Sequence, residues 1–343
     1  MKKIGLMTGG GDCPGLNAAI RAILQEAHFH HITVEGIIDG WKGFIEKNFI
    51  KLTPDSHHDL LTQGGTILGS SRVNPLKNPK QLQKIIQLLK KKSYHALIFL
   101  AGEGTLEISQ HLHQAGIPII CIPKTIDNDT YGSDFSIGFQ TALQTATEAI
   151  DRLHNTAKSH HRIMLVEVMG RYSGWIAASA GIAGGAHLTL IPEKPRTLLE
   201  IVEHLRFRNK TKNGYTLIVL SEDAKIILKN KKILRPHLKK DAFQNERLAG
   251  LSAQLASLLE KELHQEVRYT ILGHVQRGGT PNAFDRVLAT RMGVRAVSLA
   301  LENKFGRMLC LSGNQIKDLS ISEAAGKLNP LPSDLIEICQ KFI

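Results

Sequence analysis

The sequence predicts an α/β protein made of two doubly wound lobes with mainly parallel sheets. Three observations carry this expectation. Short apolar runs alternate with amphipathic stretches along the whole chain. Several of those runs are near-continuous Val, Ile and Leu, which is how a strand reads when helices cover both faces of a parallel sheet. At 343 residues the chain is also longer than one comfortable hydrophobic core, so two lobes are expected.

Strands are expected at residues 3–8, 33–38, 95–100, 117–122, 163–168, 188–191, 216–220 and 269–272. Helices are expected at 15–27, 79–91, 105–114, 138–157, 173–183, 198–208, 247–263 and 285–302. The first strand runs into Gly9, Gly10 and Gly11. A helical pattern follows, with Leu16, Ala19, Ile20, Ile23 and Leu24 on one face. The dinucleotide fingerprint fails here because Pro14 stands where the third glycine belongs. The P-loop pattern fails because Leu16 and Asn17 replace its lysine and hydroxyl. Consecutive glycines still let backbone N–H groups approach an anion, and a helix N-terminus adds its dipole. The alternative is a tight turn with no ligand.

Five further stretches carry chemical groups at expected strand ends or in loops. Arg72 lies in the loop GSSRVNP, where an arginine without a core role often meets a ligand. Glu103 follows the apolar run LIFLAG, and a carboxylate at such a turn suits a metal bound to phosphate oxygens. In PKTIDND, Thr125, Asp127 and Asp129 are spaced by two. In an extended segment all three face one way, about 7 Å apart at each step. Two such carboxylates can divide the work, one taking a proton and one helping to hold Mg²⁺. The same DND is also a common turn composition. Met169, Gly170 and Arg171 end one strand, and His274 and Arg277 follow another as a plausible anion clamp.

The net charge is +12. Such a surface suits nucleic acid, an anionic membrane or a phosphorylated small molecule. The densest basic run, residues 225–240, lacks interleaved aromatics and any RNA-binding signature, and it reads as a solvated connecting segment. No apolar run reaches the length of about 18 residues that a membrane helix needs, and the N-terminal residues form no signal-peptide core. Cys13, Cys121, Cys310 and Cys339 form no C-x-x-C and fit a reducing cytoplasm. The histidines at 28, 30 and 31 and at 160 and 161 lack partners at ligand spacing, so they read as surface residues.

GGGDCPGLNAAIR, GEGT, PKTIDND, MGRYSGW and GHVQRGG stand in the order and approximate spacing of the 6-phosphofructokinase family. The chain resembles that family over residues 1 to about 300. The resemblance implies transfer of the γ-phosphoryl of ATP, with Mg²⁺, to the 1-hydroxyl of fructose 6-phosphate. The products would be fructose 1,6-bisphosphate and ADP. It implies that Asp127 is the general base, with Arg171, Gly104 and Lys124 at the catalytic centre. Gly11, Arg72, Gly102, Glu103, Gly104 and Thr105 would bind the donor, and Glu103 and Asp129 would serve Mg²⁺. Thr125, Ile126, Asp127, Met169, Gly170, Arg171, Glu222, His274 and Arg277 would bind the sugar phosphate. Arg162 and Arg268 match arginines that family members supply from a neighbouring subunit, which implies a homodimer or homotetramer. Residues 1–138 with about 276–326 would form the donor lobe. Residues 139–275 with the C-terminal segment would form the sugar-phosphate lobe, with the active site in the cleft between them. No nucleic-acid or membrane partner is implied, and the expected location is the cytoplasm.

Some positions depart from the family pattern. Ala101 stands where glycine is usual, and Glu107 and Ile108 stand where small residues often face the nucleoside. Of the effector-site positions, Arg21 is kept, but Gln25, Pro54, His154, His187, Thr211 and Asn213 replace charged residues, so weak or absent allosteric control is expected. Residues 225–240 resemble an insertion. The donor signal is mixed. Pyrophosphate users pair aspartate at position 104 with lysine at 124, whereas ATP users have glycine at both. This chain has Gly104 and Lys124. An aspartate at 104 would set a carboxylate against the α-phosphate of ATP, so Gly104 weighs towards ATP. Pyrophosphate is the alternative donor. An inert sugar-phosphate binder and a nucleic-acid module are the rivals from other classes. The intact Asp127, Asp129, Arg171 and Arg72 speak against the first of these, and only net charge supports the second.

Overall fold

The computed structural model describes residues 2–55, 59–211, 214–234 and 250–341. Its strands in chain order are β1 Lys3–Thr8, β2 Thr33–Ile37, β3 Phe49–Leu52, β4 Ala96–Ala101, β5 Ile119–Pro123, β6 Ile163–Val168 and β7 Leu188–Leu190, then β8 Arg196–Thr197, β9 Thr216–Ser221, β10 Ile226–Ile227, β11 Ile233–Leu234, β12 Val267–Ile271, β13 Arg307–Ser312 and β14 Gln315–Ser320. The chain divides into two compact units, Met1–Thr141 with Arg277–Asn329, and Ala142–Gln276 with Pro330–Ile343.

The first unit holds a seven-stranded sheet in the order β14-β13-β5-β4-β1-β2-β3. Its five inner strands run parallel, and β14 and β3 pair antiparallel at the two edges. Every residue of β4 and β5 is buried, which explains their unbroken apolar sequence. One face of the sheet packs Trp41, Phe44 and Phe99 against Ile85, Leu106, Ile108 and Leu112. Ile108 is therefore a core residue, and only its neighbour Glu107 reaches solvent. The chain leaves β1 to one side for β2 and returns to the other side for β4. That reversal is the kind of switch point at which open α/β sheets bind ligands.

The second unit has a four-stranded parallel sheet, β12-β6-β9-β7, and a small sheet, β11-β10-β8. Helices Leu198–Thr211 and Leu251–Leu263 cover the larger sheet through Leu205, Leu255 and Leu259. The basic run differs from its expectation. Residues 226–234 form the antiparallel pair β10 and β11, with Ile226 fully buried, so this part is a hairpin and not a plain connecting segment. Residues 235–240 lie outside the described residues, as does the expected helix start at 247. Sequence reading also missed β3, the β13–β14 hairpin and helix Ser333–Lys341.

Candidate active site

In the first unit, three neighbouring strand ends carry expected donor, metal and catalytic residues, together with Thr125 and Ile126 of the expected sugar-phosphate set. β1 ends in Gly9–Asp12, β4 in Gly102 and Glu103, and β5 in Lys124–Asp129, and these strands are adjacent in the order β5-β4-β1. The glycine loop has Gly10 at φ 81° and Gly15 at φ 103°, conformations that L side chains rarely adopt. Gly9 packs so tightly on the next helix that a Cβ there would lie 2.4 Å from Thr105 Oγ1. The helix begins at Glu103, two residues earlier than the sequence suggests, with Gly102 as its N-cap. Glu103 thus sits in the first turn, where the helix dipole favours a carboxylate. Thr105 is buried behind it. Gly104 is exposed, and the space beside its Cα is open, with nothing within 4 Å of an added Cβ.

The expectation that Thr125, Asp127 and Asp129 share one face of an extended segment does not hold. β5 stops at Pro123, and residues 126–127 form a turn, with Asn128 left-handed at φ 51°. The Asn128 side chain fixes that turn. Its Oδ1 accepts from the Ser136 amide at 2.9 Å, and its Nδ2 donates to Asp134 O at 3.0 Å. Thr125 Oγ1 accepts from the Asp127 amide at 3.1 Å. The turn still gathers the carboxylates. Burial, and then the charges of Asp127 and Glu103, push the Asp129 carboxyl up to about 7, while a hydrogen bond from Thr125 pulls the other way. Ile126 is fully buried. Among the described residues, no three His, Cys, Asp or Glu side chains could hold a metal ion by themselves.

Lys124 is 3% exposed, and its Nζ donates to Gly11 O at 2.8 Å. Burial, chiefly, lowers its pKa. Arg277 Nη1 donates to Asp12 O at 3.1 Å. Arg72 is exposed on the loop after Gly69, whose next residue Ser70 bonds to Gly10 O.

In the second unit, the expected sugar-phosphate residues again follow neighbouring strand ends. Met169–Arg171 follow β6, Glu222 follows β9, and His274 follows β12. Gly170 has φ 131°, and its carbonyl accepts from Ser221 Oγ at 2.5 Å. The Glu222 amide donates to Val168 O at 2.9 Å. Arg171 lies over the Tyr172 ring at 5.4 Å. Gln276 is fully buried, accepts from the Met169 amide at 3.3 Å and donates to Gly273 O at 3.0 Å, which braces the turn that carries exposed His274. Arg162 and Arg268 lie on neighbouring strand segments and both pair with Glu266, Arg162 through Nε at 2.5 Å.

Sequence reasoning missed two buried carboxylates. Glu167 accepts from the Gly250 and Ser252 amides, each at 2.8 Å, and from Ser252 Oγ at 2.6 Å. Asp285 accepts from the Gly138 amide at 2.9 Å, the Thr141 amide at 2.8 Å and Thr141 Oγ1 at 2.5 Å. Both cap helix N-termini and are structural. An acidic residue inside an apolar strand was the available signal for Glu167. Two of the expected effector positions are filled by packed rings. His154, His187 and Tyr215 meet edge to face at 5.2–6.0 Å. Nε2 of His154 bonds to Gly184 O at 2.6 Å, and Nδ1 of His187 accepts from the Leu217 amide at 2.9 Å. The side chain of Thr211 and all of Asn213 lie outside the described residues.

Residues 3–300 match the phosphofructokinase family profile. An ATP-dependent 6-phosphofructokinase of Mycobacterium bovis is 45% identical, with 99% of each chain covered. A pyrophosphate–fructose 6-phosphate 1-phosphotransferase of Amycolatopsis methanolica is 43% identical, again with 99% of each chain covered. The phosphofructokinase structure from Saccharomyces cerevisiae superposes with a TM-score of 0.80 at 28% identity, covering 99% of this chain. This chain spans 46% of that yeast chain, less than half its length. A match of this length, on a chain whose motifs sit at the C-terminal ends of parallel strands, has one reading: the chain belongs to the phosphofructokinase family.

Proposed function

We propose that the chain is an ATP-dependent 6-phosphofructokinase that phosphorylates the 1-hydroxyl of fructose 6-phosphate. The observation that carries this is the placement of Glu103, Asp127 and Asp129 after the neighbouring strands β4 and β5, next to β1 and its glycine loop. Asp127 takes the proton of the hydroxyl as its oxygen attacks the γ-phosphorus. Glu103 and Asp129 would hold Mg²⁺ together with phosphate oxygens, and the ion would neutralise charge on the phosphoryl group. Such a transfer needs alignment and positive charge more than covalent help. Arg171, Met169, Gly170, Glu222 and His274 serve the sugar phosphate. Arg162 and Arg268 serve it in a neighbouring subunit of a homo-oligomer. The four free, buried cysteines suit a reducing compartment, and the cytoplasm is the location proposed.

ATP is the donor because the open space beside Gly104 admits the α-phosphate. Wild-type enzyme assayed with both donors should turn over faster with ATP, and a faster pyrophosphate reaction would reverse this weighting. Gly104→Asp should depress the ATP reaction. Asp127→Ser should fold normally and bind fructose 6-phosphate while turnover falls by roughly 10²- to 10⁴-fold. Turnover within about threefold of wild type would remove Asp127 from the role of base.

A further inference from the structure

The turn after β5 is held at its middle by a short strap from far along the chain. Leu328 lies opposite Thr130 in an antiparallel bridge, and Nζ of Lys327 stands over the Tyr131 ring at 5.1 Å. The Asn329 amide donates to Asp129 O at 2.9 Å. A side-chain amide nitrogen has two protons to give. Nδ2 of Asn329 donates to Asn128 O at 3.1 Å and to Ser133 O at 3.3 Å. Pro330 follows, and a residue before proline is biased to extended backbone, as a strap requires. Asn128 O belongs to the peptide that precedes the Asp129 Cα, and Asp129 O to the peptide that follows it. Peptide units are planar, so holding one on each side of a Cα fixes both of its backbone angles and the direction of its Cβ. Asn329 holds both. Asp129 has reason to need this restraint. It is 8% exposed, it follows left-handed Asn128, and the like charges of Asp127 and Glu103 act on it.

We propose that Asn329 is a positioning residue for the phosphoryl transfer. It clasps the two peptides that flank Asp129 and so aims the Asp129 carboxylate at Mg²⁺ and the donor phosphates. Asn329 lies beyond residue 300, where the family match ends, so the family motifs assign it nothing. The proposal rests on the phosphoryl-transfer reading above.

The test pairs initial rates with calorimetric titration of ATP in the presence and absence of Mg²⁺. In Asn329→Ala, kcat should fall about 10- to 100-fold, the usual scale for a residue that orients a metal-binding carboxylate. The factor by which Mg²⁺ tightens ATP binding should shrink as well. Kd and KM for fructose 6-phosphate should stay within about threefold of wild type. Asn329→Asp turns an acceptor towards the same two carbonyls and should lose at least as much. Asn329→Gln keeps the amide donor and should recover part of the loss. Ser133→Ala separates positioning from stability. Ser133 Oγ accepts from the Leu311 amide at 2.9 Å and donates to Phe135 O at 2.8 Å, so its removal loosens the same loop without releasing either peptide beside Asp129. That variant should lower Tm and leave kcat and the Mg²⁺ factor within about threefold of wild type. Wild-type kcat and Mg²⁺ factor in both Asn329→Ala and Asn329→Asp would overturn the proposal. So would losses of the same size in Ser133→Ala. If Asn329→Ala does not fold, the series wild type, Asn329→Gln, Asn329→Asp decides. A falling kcat at constant Kd for fructose 6-phosphate supports the proposal, and a flat series overturns it. The Mg²⁺ factor is read without turnover. A wild-type enzyme whose ATP binding responds to Mg²⁺ while fructose 6-phosphate stays unphosphorylated would therefore overturn the functional reading alone.

Discussion

Asp129 joins sequence, burial and pH in one side chain. Its ordinary carboxyl value of 3.8 is raised to about 7 by burial and by Asp127 and Glu103. The folded state therefore holds a proton that the unfolded chain has released. The contribution of this group to stability is complete below about pH 4 and is lost as pH rises towards about 7. In metal-free protein, Asp129→Asn should gain Tm relative to wild type as pH is raised through that window. A Tm difference that does not change with pH would show that the carboxyl titrates normally. The residue types and order here were legible in PKTIDND, but the backbone was not. Spacing by two fits a strand and a turn equally. The choice is made by partners far along the chain, such as the Asn329 amide, which donates to Asp129 O at 2.9 Å, and the Asn329 side chain, which donates to Asn128 O at 3.1 Å. No local pattern contains that information.

Among the elements, the helix ends show how a buried carboxylate ties two helices together. Asp285 lies in the first turn of helix Ala283–Leu301 and also binds the Gly138 and Thr141 amides at the start of helix Phe139–Ser159. It is fully buried, and its three accepted hydrogen bonds offset the desolvation that raises its pKa. Asp285→Ala leaves those donors without their acceptor and should cost about 3 kcal/mol or more in denaturant unfolding. Asp285→Asn keeps one acceptor oxygen and should recover part of that. A loss below about 1 kcal/mol in the alanine variant would show that the cap is dispensable. The long inner strands were legible because burial on both faces writes itself as unbroken Val, Ile and Leu. The β13–β14 hairpin was legible in principle, since Gly313 and Asn314 form a two-residue loop between Ser312 and Gln315. The small sheet was not, because strands of two residues have no period to detect.

For the whole molecule, the question is how many chains complete one catalytic site. β12 is an edge strand, and it exposes Tyr269 and Ile271 beside Arg268. Glu266 holds Arg268 and Arg162 together. Exposed ion pairs of this kind contribute little to stability, so both guanidinium groups can exchange Glu266 for a phosphate at small cost. Mixing Arg162→Ala with Asp127→Ser protein under verified subunit exchange should restore part of the activity lost by each. Persistent failure to complement would mean that each site is built within one chain. Composition does not change at Thr141 or Arg277, where the two compact units divide the chain, so composition alone does not mark that division.

The ring cluster of His154, His187 and Tyr215 bears on how this lineage can change. Each ring supports the other two, and two of them also hold a backbone group, Gly184 O and the Leu217 amide. Exchanging any one ring for a charged side chain breaks two ring contacts at once and gains no ligand until its neighbours change too. Neighbouring substitutions of this kind are not additive. Any route from these packed rings to a charged pocket therefore passes through intermediates in which ring contacts are broken and not yet replaced.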